Sequence, residues 1–181
     1  MKRLFVSIPL SKEFREIFSH YETLYPLKGV RWAVKENLHL TVHFIGEVEN
    51  HWLPEIQERI RGIANETSVF TLHFSKVMFA PPGKTKRMVW GVFSNSDIFQ
   101  PLVDRLSEAL NFNAEIVRRS AIPHITLARI REKHAKKIDL QQPSMKYPDW
   151  VIRTLELQES VLTSEGATYR VLCAFPLGDF L

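Results

Sequence analysis

Two segments of the chain repeat one pattern at a fixed interval, and that repetition limits the folds open to it. Leu38-His39-Leu40-Thr41-Val42-His43-Phe44-Ile45-Gly46 alternates polar and apolar residues for most of its length and stops at a glycine. This is the pattern of a half-buried strand. Successive strand side chains point to opposite faces, so His39 and Thr41 share one face while Leu40 and Val42 enter a core. Eighty-five residues on, Ile122-Pro123-His124-Ile125-Thr126-Leu127-Ala128 sets out His124 and Thr126 in the same way.

The interval holds elsewhere. The apolar run Leu4 to Ile8 falls on Val89-Trp90-Gly91-Val92-Phe93, and Ser11 falls on Ser96. Phe14, Ile17, Phe18, Tyr21, Leu24 and Tyr25, at helical spacing, fall on Phe99, Leu102, Val103, Leu106, Ala109 and Leu110, all apolar. Phe70-Thr71-Leu72 falls on Leu155-Glu156-Leu157. The second helix repeats less cleanly, since Ile56 falls on Gln141. Internal repetition of this kind implies a doubled strand–helix–strand unit. The expected object is one α+β domain over residues 1–181, with repeat-like halves of about 1–80 and 87–175. Each half would contribute one His-x-Thr strand to a shared seam. The junction Ala80-Pro81-Pro82-Gly83-Lys84-Thr85-Lys86-Arg87 reads as a turn or linker.

Local signals fill in the elements. Ser11 suits the N-cap of a helix running through Tyr25, ended by Pro26 and Gly29. A short extended piece is expected around Val30-Arg31-Trp32. A second helix is expected from near Asn50, with Pro54 in its first turn and Leu53, Ile56, Ile60 and Ile63 inward. Strands are expected over Val69–Phe79, Val151–Leu162 and Tyr169–Phe175, the last two joined by a turn at Ser164-Glu165-Gly166.

Composition narrows the function classes. With 45% hydrophobic and 24% charged residues the chain is ordinary globular material. A net charge of +4 favours anionic partners without establishing a nucleic-acid binder. Cys173 is the sole cysteine, which excludes an internal disulfide and a cysteine metal cluster; it reads as a small buried hydrophobe. The N-terminal apolar run stops at Pro9 and is too short for a secretory core, and no segment reaches membrane-spanning length, so a cytoplasmic protein is expected. No glycine-rich nucleotide motif is present, and no cofactor is expected.

Two histidines facing one cleft make a general acid and a general base near neutral pH. Displacement at phosphorus uses such a pair: one imidazole takes the proton of the attacking water, the other protonates the departing oxygen. Thr41 and Thr126 would offer hydroxyls to the non-bridging phosphate oxygens. A metal site from His39, His43 and His124 is disfavoured, because His43 lies ~13 Å from His39 along a regular strand and neither motif carries a carboxylate. Strict alternation puts Arg129 on the face opposite His124, so it reaches the phosphate only if the strand bulges or ends there. Lys84, Lys86, Arg87, Arg118 and Arg119 are candidates for further RNA phosphates, and Trp32, Phe44 and Trp90 for base stacking. His51, His73 and His134 read as bland surface residues.

These residues resemble a known family. His39-Leu40-Thr41-Val42 and His124-Ile125-Thr126-Leu127 match the paired His-x-Thr-x motifs of the 2H phosphoesterase superfamily. Arg3-Leu4-Phe5-Val6, Phe44-Ile45-Gly46-Glu47, Pro123 to Arg129, Tyr169-Arg170-Val171-Leu172 and Phe175-Pro176-Leu177 resemble its RNA 2′,3′-cyclic phosphodiesterase (2′-5′ RNA ligase) branch. The resemblance implies a bilobal fold with two antiparallel sheets lining a central cleft and helices outside. It implies metal-independent opening of RNA 2′,3′-cyclic phosphate ends to 2′-phosphates, with reversible 2′-5′ joining. A monomer with no obligate protein partner is expected. His39 and His124 would be the catalytic pair, in either assignment of acid and base, with Thr41, Thr126 and Arg129 on the phosphate. His43 departs from the basic residue that relatives often carry there. Two other functions remain open: a catalytically silent module binding RNA phosphate ends, and a phosphodiesterase for a small cyclic nucleotide.

Overall fold

The computed structural model describes residues 1–24, 29–82, 86–111, 120–130, 140, 146–164 and 166–178. Expectations placed on Tyr25, Pro26, Gly83, Lys84, Arg118, Arg119 and His134 lie outside the described residues. The elements are β1 (Lys2–Pro9), α1 (Lys12–Ser19), α2 (Tyr21–Leu24), β2 (Val30–Trp32), β3 (His39–Val48), α3 (Leu53–Asn65), β4 (Phe70–Ala80), β5 (Met88–Phe93), α4 (Phe99–Leu110), β6 (His124–Ile130), β7 (Asp149–Ile152), β8 (Thr154–Thr163) and β9 (Gly166–Pro176).

The fold is α+β, with antiparallel strands in the order β7-β4-β5-β6-β3-β1-β8-β9 and β2 added on β6. It divides into two lobes, β3-β1-β8-β9 and β6-β5-β4-β7, joined where Leu40 pairs with Ile125. The strands that follow the repeat cross over: β4 pairs with β5, and β8 with β1. The first lobe therefore holds β8 and β9 from the second half of the sequence, and the other lobe holds β4 from the first half. The expected strand Val151–Leu162 is split at Arg153 for the same reason. Residues before the break pair with β4, and residues after it pair with β1.

The helices follow the apolar patterning. Ser11 Oγ accepts the Phe14 backbone N–H at 3.3 Å, and Ser96 Oγ accepts that of Phe99 at 3.1 Å, the same bond one repeat later. The first helix is shorter than its periodicity suggests. It ends at Ser19 with His20 as its C-cap, and a separate turn, α2, carries buried Tyr21. Phe14 packs on Phe93 and Trp150 of the β5 lobe, with ring centroids at 5.2 and 5.9 Å. Gly91 lies beneath this helix, where a Cβ would stand 3.2 Å from Phe18 Cζ. Ile56, Ile60 and Ile63 of α3, and Leu102, Leu106 and Leu110 of α4, are buried in the core. Cys173 is half-buried against that core rather than enclosed by it.

The eighty-five-residue offset slips between β1 and β5. Thr41 pairs with Ser7, whereas Thr126 pairs with Trp90, so β1 and β5 superpose two residues away from the gapless alignment. A two-residue slip keeps every side chain on its face, which is why the apolar pattern conceals it.

Candidate active site

The seam places the two motifs together. Leu40 and Ile125 are antiparallel partners, so the flanking positions bring His39 toward Thr126 and Thr41 toward His124 on the opposite face from that buried pair. His39, Thr41, His124 and Thr126 all line one cleft of about 340 Å³. Arg31, Asn37, Phe44, Arg129 and the Gly166–Tyr169 segment share its walls. No carboxylate lines it among the described residues.

Both rings are held alike. His39 Nδ1 donates to the Asn37 carbonyl at 2.8 Å, and His124 Nδ1 donates to the Ile122 carbonyl at 2.8 Å. A carbonyl only accepts, so each bond fixes the proton on Nδ1 and leaves Nε2 as the nitrogen that titrates. His39 Nε2 meets Thr41 Oγ1 at 3.0 Å. The hydroxyl donates to the neutral ring and accepts from the protonated one. The short 3₁₀ turn Lys35–Asn37 that supplies the first carbonyl is itself tied down, since Arg15 Nη1 donates to Lys35 O at 3.1 Å and Asn37 Nδ2 to Ala167 O at 3.0 Å.

The surroundings of the rings differ. Phe5 and Tyr169 flank His39 with centroids at 5.0 and 4.9 Å, the latter edge-on. Trp90 stacks on His124 at 3.6 Å with planes 24° apart. Burial pushes both imidazoles below their usual pKa. For His39 the carbonyl bond opposes that shift, and the charge of His124 adds to it. The carbonyl bond likewise opposes it for His124.

Two bulges decide what else reaches the cleft. On β3, Ser7 pairs with Thr41 and Val6 with His43, leaving Val42 as the extra residue. On β6, Trp90 pairs with Thr126 and Val89 with Ala128, leaving Leu127 as the extra residue. The bulges occupy equivalent places in the repeat, and each reverses the alternation beyond it. Arg129 is thereby brought to the cleft, the bulged case of the two that the sequence allowed. On the other strand the bulge swings Phe44 into the cleft wall in place of His43, which is half-buried. The regular-strand geometry assumed for His43 therefore fails two residues after Thr41.

Among the other residues singled out, Trp32 lines the cleft with its indole nitrogen buried, and Trp90 serves as the plate behind His124. Lys86 lies over the Phe79 ring at 4.3 Å, and His73 pairs with Asp149 at 2.8 Å on the surface. Among the described residues no group of three or more His, Cys, Asp or Glu is placed to hold a metal ion, and no helix is long and apolar enough to cross a membrane.

Sequence reasoning missed Arg31. It pairs directly with Arg129 across β2 and β6, and both line the cleft. Its guanidinium lies against Gly166, whose φ is +131° and where a Cβ would stand 2.7 Å from Nη2. Only glycine suits that backbone, so the tip of the β8–β9 hairpin closes on Arg31 without a side chain between them. The glycine at a strand turn was visible in the sequence; what approaches it was not.

The chain is similar to known proteins in sequence and in fold. The profile of the LigT like Phosphoesterase family matches residues 5–90. An RNA 2′,3′-cyclic phosphodiesterase of Methanocaldococcus jannaschii is 29% identical over 94% of this chain and 98% of its own. The protein of that name from Thermotoga maritima is 28% identical over 97% of each chain. A crystal structure from Thermus thermophilus superposes with a TM-score of 0.82 at 26% identity, covering 99% of this chain and 100% of that one. The fold is also that of Escherichia coli LigT complexed with 3′-AMP, at a TM-score of 0.78 and 24% identity over 98% of this chain and 99% of that one.

Proposed function

We propose that the chain is a LigT-like phosphoesterase, an RNA 2′,3′-cyclic phosphodiesterase whose chemistry is carried by His39 and His124. The observation that supports this reading best is the matched tethering of the two rings. Each gives Nδ1 to a carbonyl two residues upstream and keeps Nε2 for the cleft. The relatives named RNA 2′,3′-cyclic phosphodiesterase, aligned over nearly the whole chain, supply the substrate class.

One imidazole, neutral, accepts a proton from water as the water oxygen attacks phosphorus. The other, protonated, gives its proton to the ribose 3′ oxygen as the P–O3′ bond breaks, leaving a 2′-phosphate. Burial lowers both pKa values, which favours the neutral base; the anionic phosphate bound between the rings would have to hold the proton on the acid. Thr41 and Thr126 donate to the non-bridging oxygens, and Arg129 balances the developing charge. With a ribose 5′-hydroxyl in place of water as the attacking group, the same steps form a 2′-5′ linkage. The pair also explains the alternation of partners at the seam. In register each histidine stands beside the other motif's threonine, an arrangement that supports a reading in which all four side chains act on one phosphate.

The test is incubation with RNA ending in a 2′,3′-cyclic phosphate, in the presence of a chelator. The expected product is the 2′-phosphomonoester. A 3′-phosphomonoester, or loss of activity with chelator, contradicts the scheme; an unchanged cyclic end points to the silent binding module.

A further inference from the structure

The two motifs match in their histidines and threonines but not in the residue that stands across from each threonine. Thr41 faces Ser7 on β1, and Thr126 faces Trp90 on β5. Ser7 is fully buried and brings no ring to its motif. Trp90 lies on His124, stacked at a centroid distance of 3.6 Å with planes 24° apart. The register explains the contact. On one face of an antiparallel pair a diagonal neighbour is within reach of an aromatic side chain, and His124 is two residues from Thr126.

The two imidazoles are also tethered unequally. His39 has bonds at both nitrogens, to Asn37 O and Thr41 Oγ1, and rings on two sides in Phe5 and Tyr169. The Nδ1 bond to Ile122 O is the one hydrogen bond of the His124 ring among the described residues. A ring pinned at a single atom can still tilt about it. A near-parallel plate at van der Waals distance takes that freedom away. Trp90 is not part of the cleft wall among the described residues, so it stands behind the imidazole and reaches the reaction through it. Its indole N–H is buried with no hydrogen-bond partner. An orphaned buried donor is destabilising, and a phenyl or aliphatic side chain would carry none. The wider ring is what the stack uses.

We propose that Trp90 is a positioning residue for His124, a plate that fixes the plane of the imidazole so that Nε2 is aimed at the reacting atoms. This rests on the reading of His124 as one of the acid–base pair. A tilted ring moves its proton slowly while the substrate still binds, so the role is expressed in kcat and not in KM.

The experiment sets Trp90→Leu, which keeps an apolar cover and removes the π face, beside Trp90→Phe, which keeps a smaller one; Trp90→Met stands in for the leucine if that variant does not fold. On one RNA ending in a 2′,3′-cyclic phosphate, Trp90→Leu lowers kcat by about 10–10²-fold with KM little changed, and Trp90→Phe recovers most of the loss. In a His124→Ala background the same leucine changes the residual rate by less than about two-fold, because the group it acts through is gone. Proton NMR of the free protein reads the stack without turnover. The His124 Cε1–H resonance, identified by its loss in His124→Ala, lies upfield in wild type and in Trp90→Phe under the aromatic ring, and moves downfield in Trp90→Leu. Full kcat in Trp90→Leu, a loss confined to KM, an equal loss with and without His124, or a resonance that stays in place overturns the positioning role while leaving the reaction standing. Wild type that leaves the cyclic end unopened overturns the acid–base reading itself, and the positioning role with it.

Discussion

Leu40 of β3 is the register partner of Ile125 of β6, and this pairing is where the two lobes join. Both side chains are fully buried in the core. The residues on either side of each are the catalytic candidates, so packing at the seam sets how far apart the two imidazoles stand. Leu40→Ala removes three carbons where the core has no room to collapse. It is expected to cost about 2–5 kcal/mol of stability, read as a lowered denaturant midpoint. It should also lower kcat in the fraction that remains folded. A stable variant with full activity contradicts the role given to the seam.

Thr126→Val keeps the shape of the side chain and removes its hydroxyl. If that hydroxyl donates to phosphate oxygens as they gain charge, kcat falls by about 10²–10³ while KM changes little. A fall confined to KM places the hydroxyl on the ground-state substrate instead.

Gly166→Ala introduces a Cβ at a φ of +131°, against the Arg31 guanidinium. The backbone strain is about 1–2 kcal/mol, and Arg31 is pushed from its place. Expected outcomes are a modestly lower melting temperature and a raised KM, since the displaced hairpin also carries Tyr169 of the cleft wall. An unchanged KM removes the hairpin tip from substrate binding.

Burial holds His39, His43 and His124 below the ordinary imidazole pKa. Unfolded, each returns to about 6.5. Between the two values the unfolded chain binds more protons, so stability rises with pH. Their contribution is fully present above the unfolded value and is lost as pH falls through the lowered folded values. The urea midpoint should therefore drop from pH 7.5 to pH 5, with a shallower drop in His43→Gln. Identical slopes in variant and wild type contradict the burial of His43 in neutral form.

Much of this site is legible in the sequence because its determinants are local. Alternation marks the two His-x-Thr strands, and serines at the repeat interval mark the starts of two helices. The hidden features depend on partners elsewhere. Nothing at Val42 or Leu127 signals a bulge, since neither is glycine or proline; each is set by the strand opposite, through Ser7/Val6 and Trp90/Val89. Those bulges decide whether Phe44 and Arg129 face the cleft. The exchange of β4 and β8 between lobes is a matter of pairing, which a repeat interval does not encode. The helix stop at His20 carries no glycine or proline there. Arg31 sits in a three-residue strand whose pattern is too short to declare a face.

The two-imidazole mechanism is tested most directly by the pH dependence of kcat/KM for wild type, His39→Ala and His124→Ala on one cyclic-phosphate RNA, with chelator present. Wild type should give a bell with both limbs, and each variant should fall by about 10²–10⁴-fold and lose one limb, a different limb in each. A bell that persists intact in either variant, or a rate that stays near wild type, contradicts acid–base catalysis shared between His39 and His124.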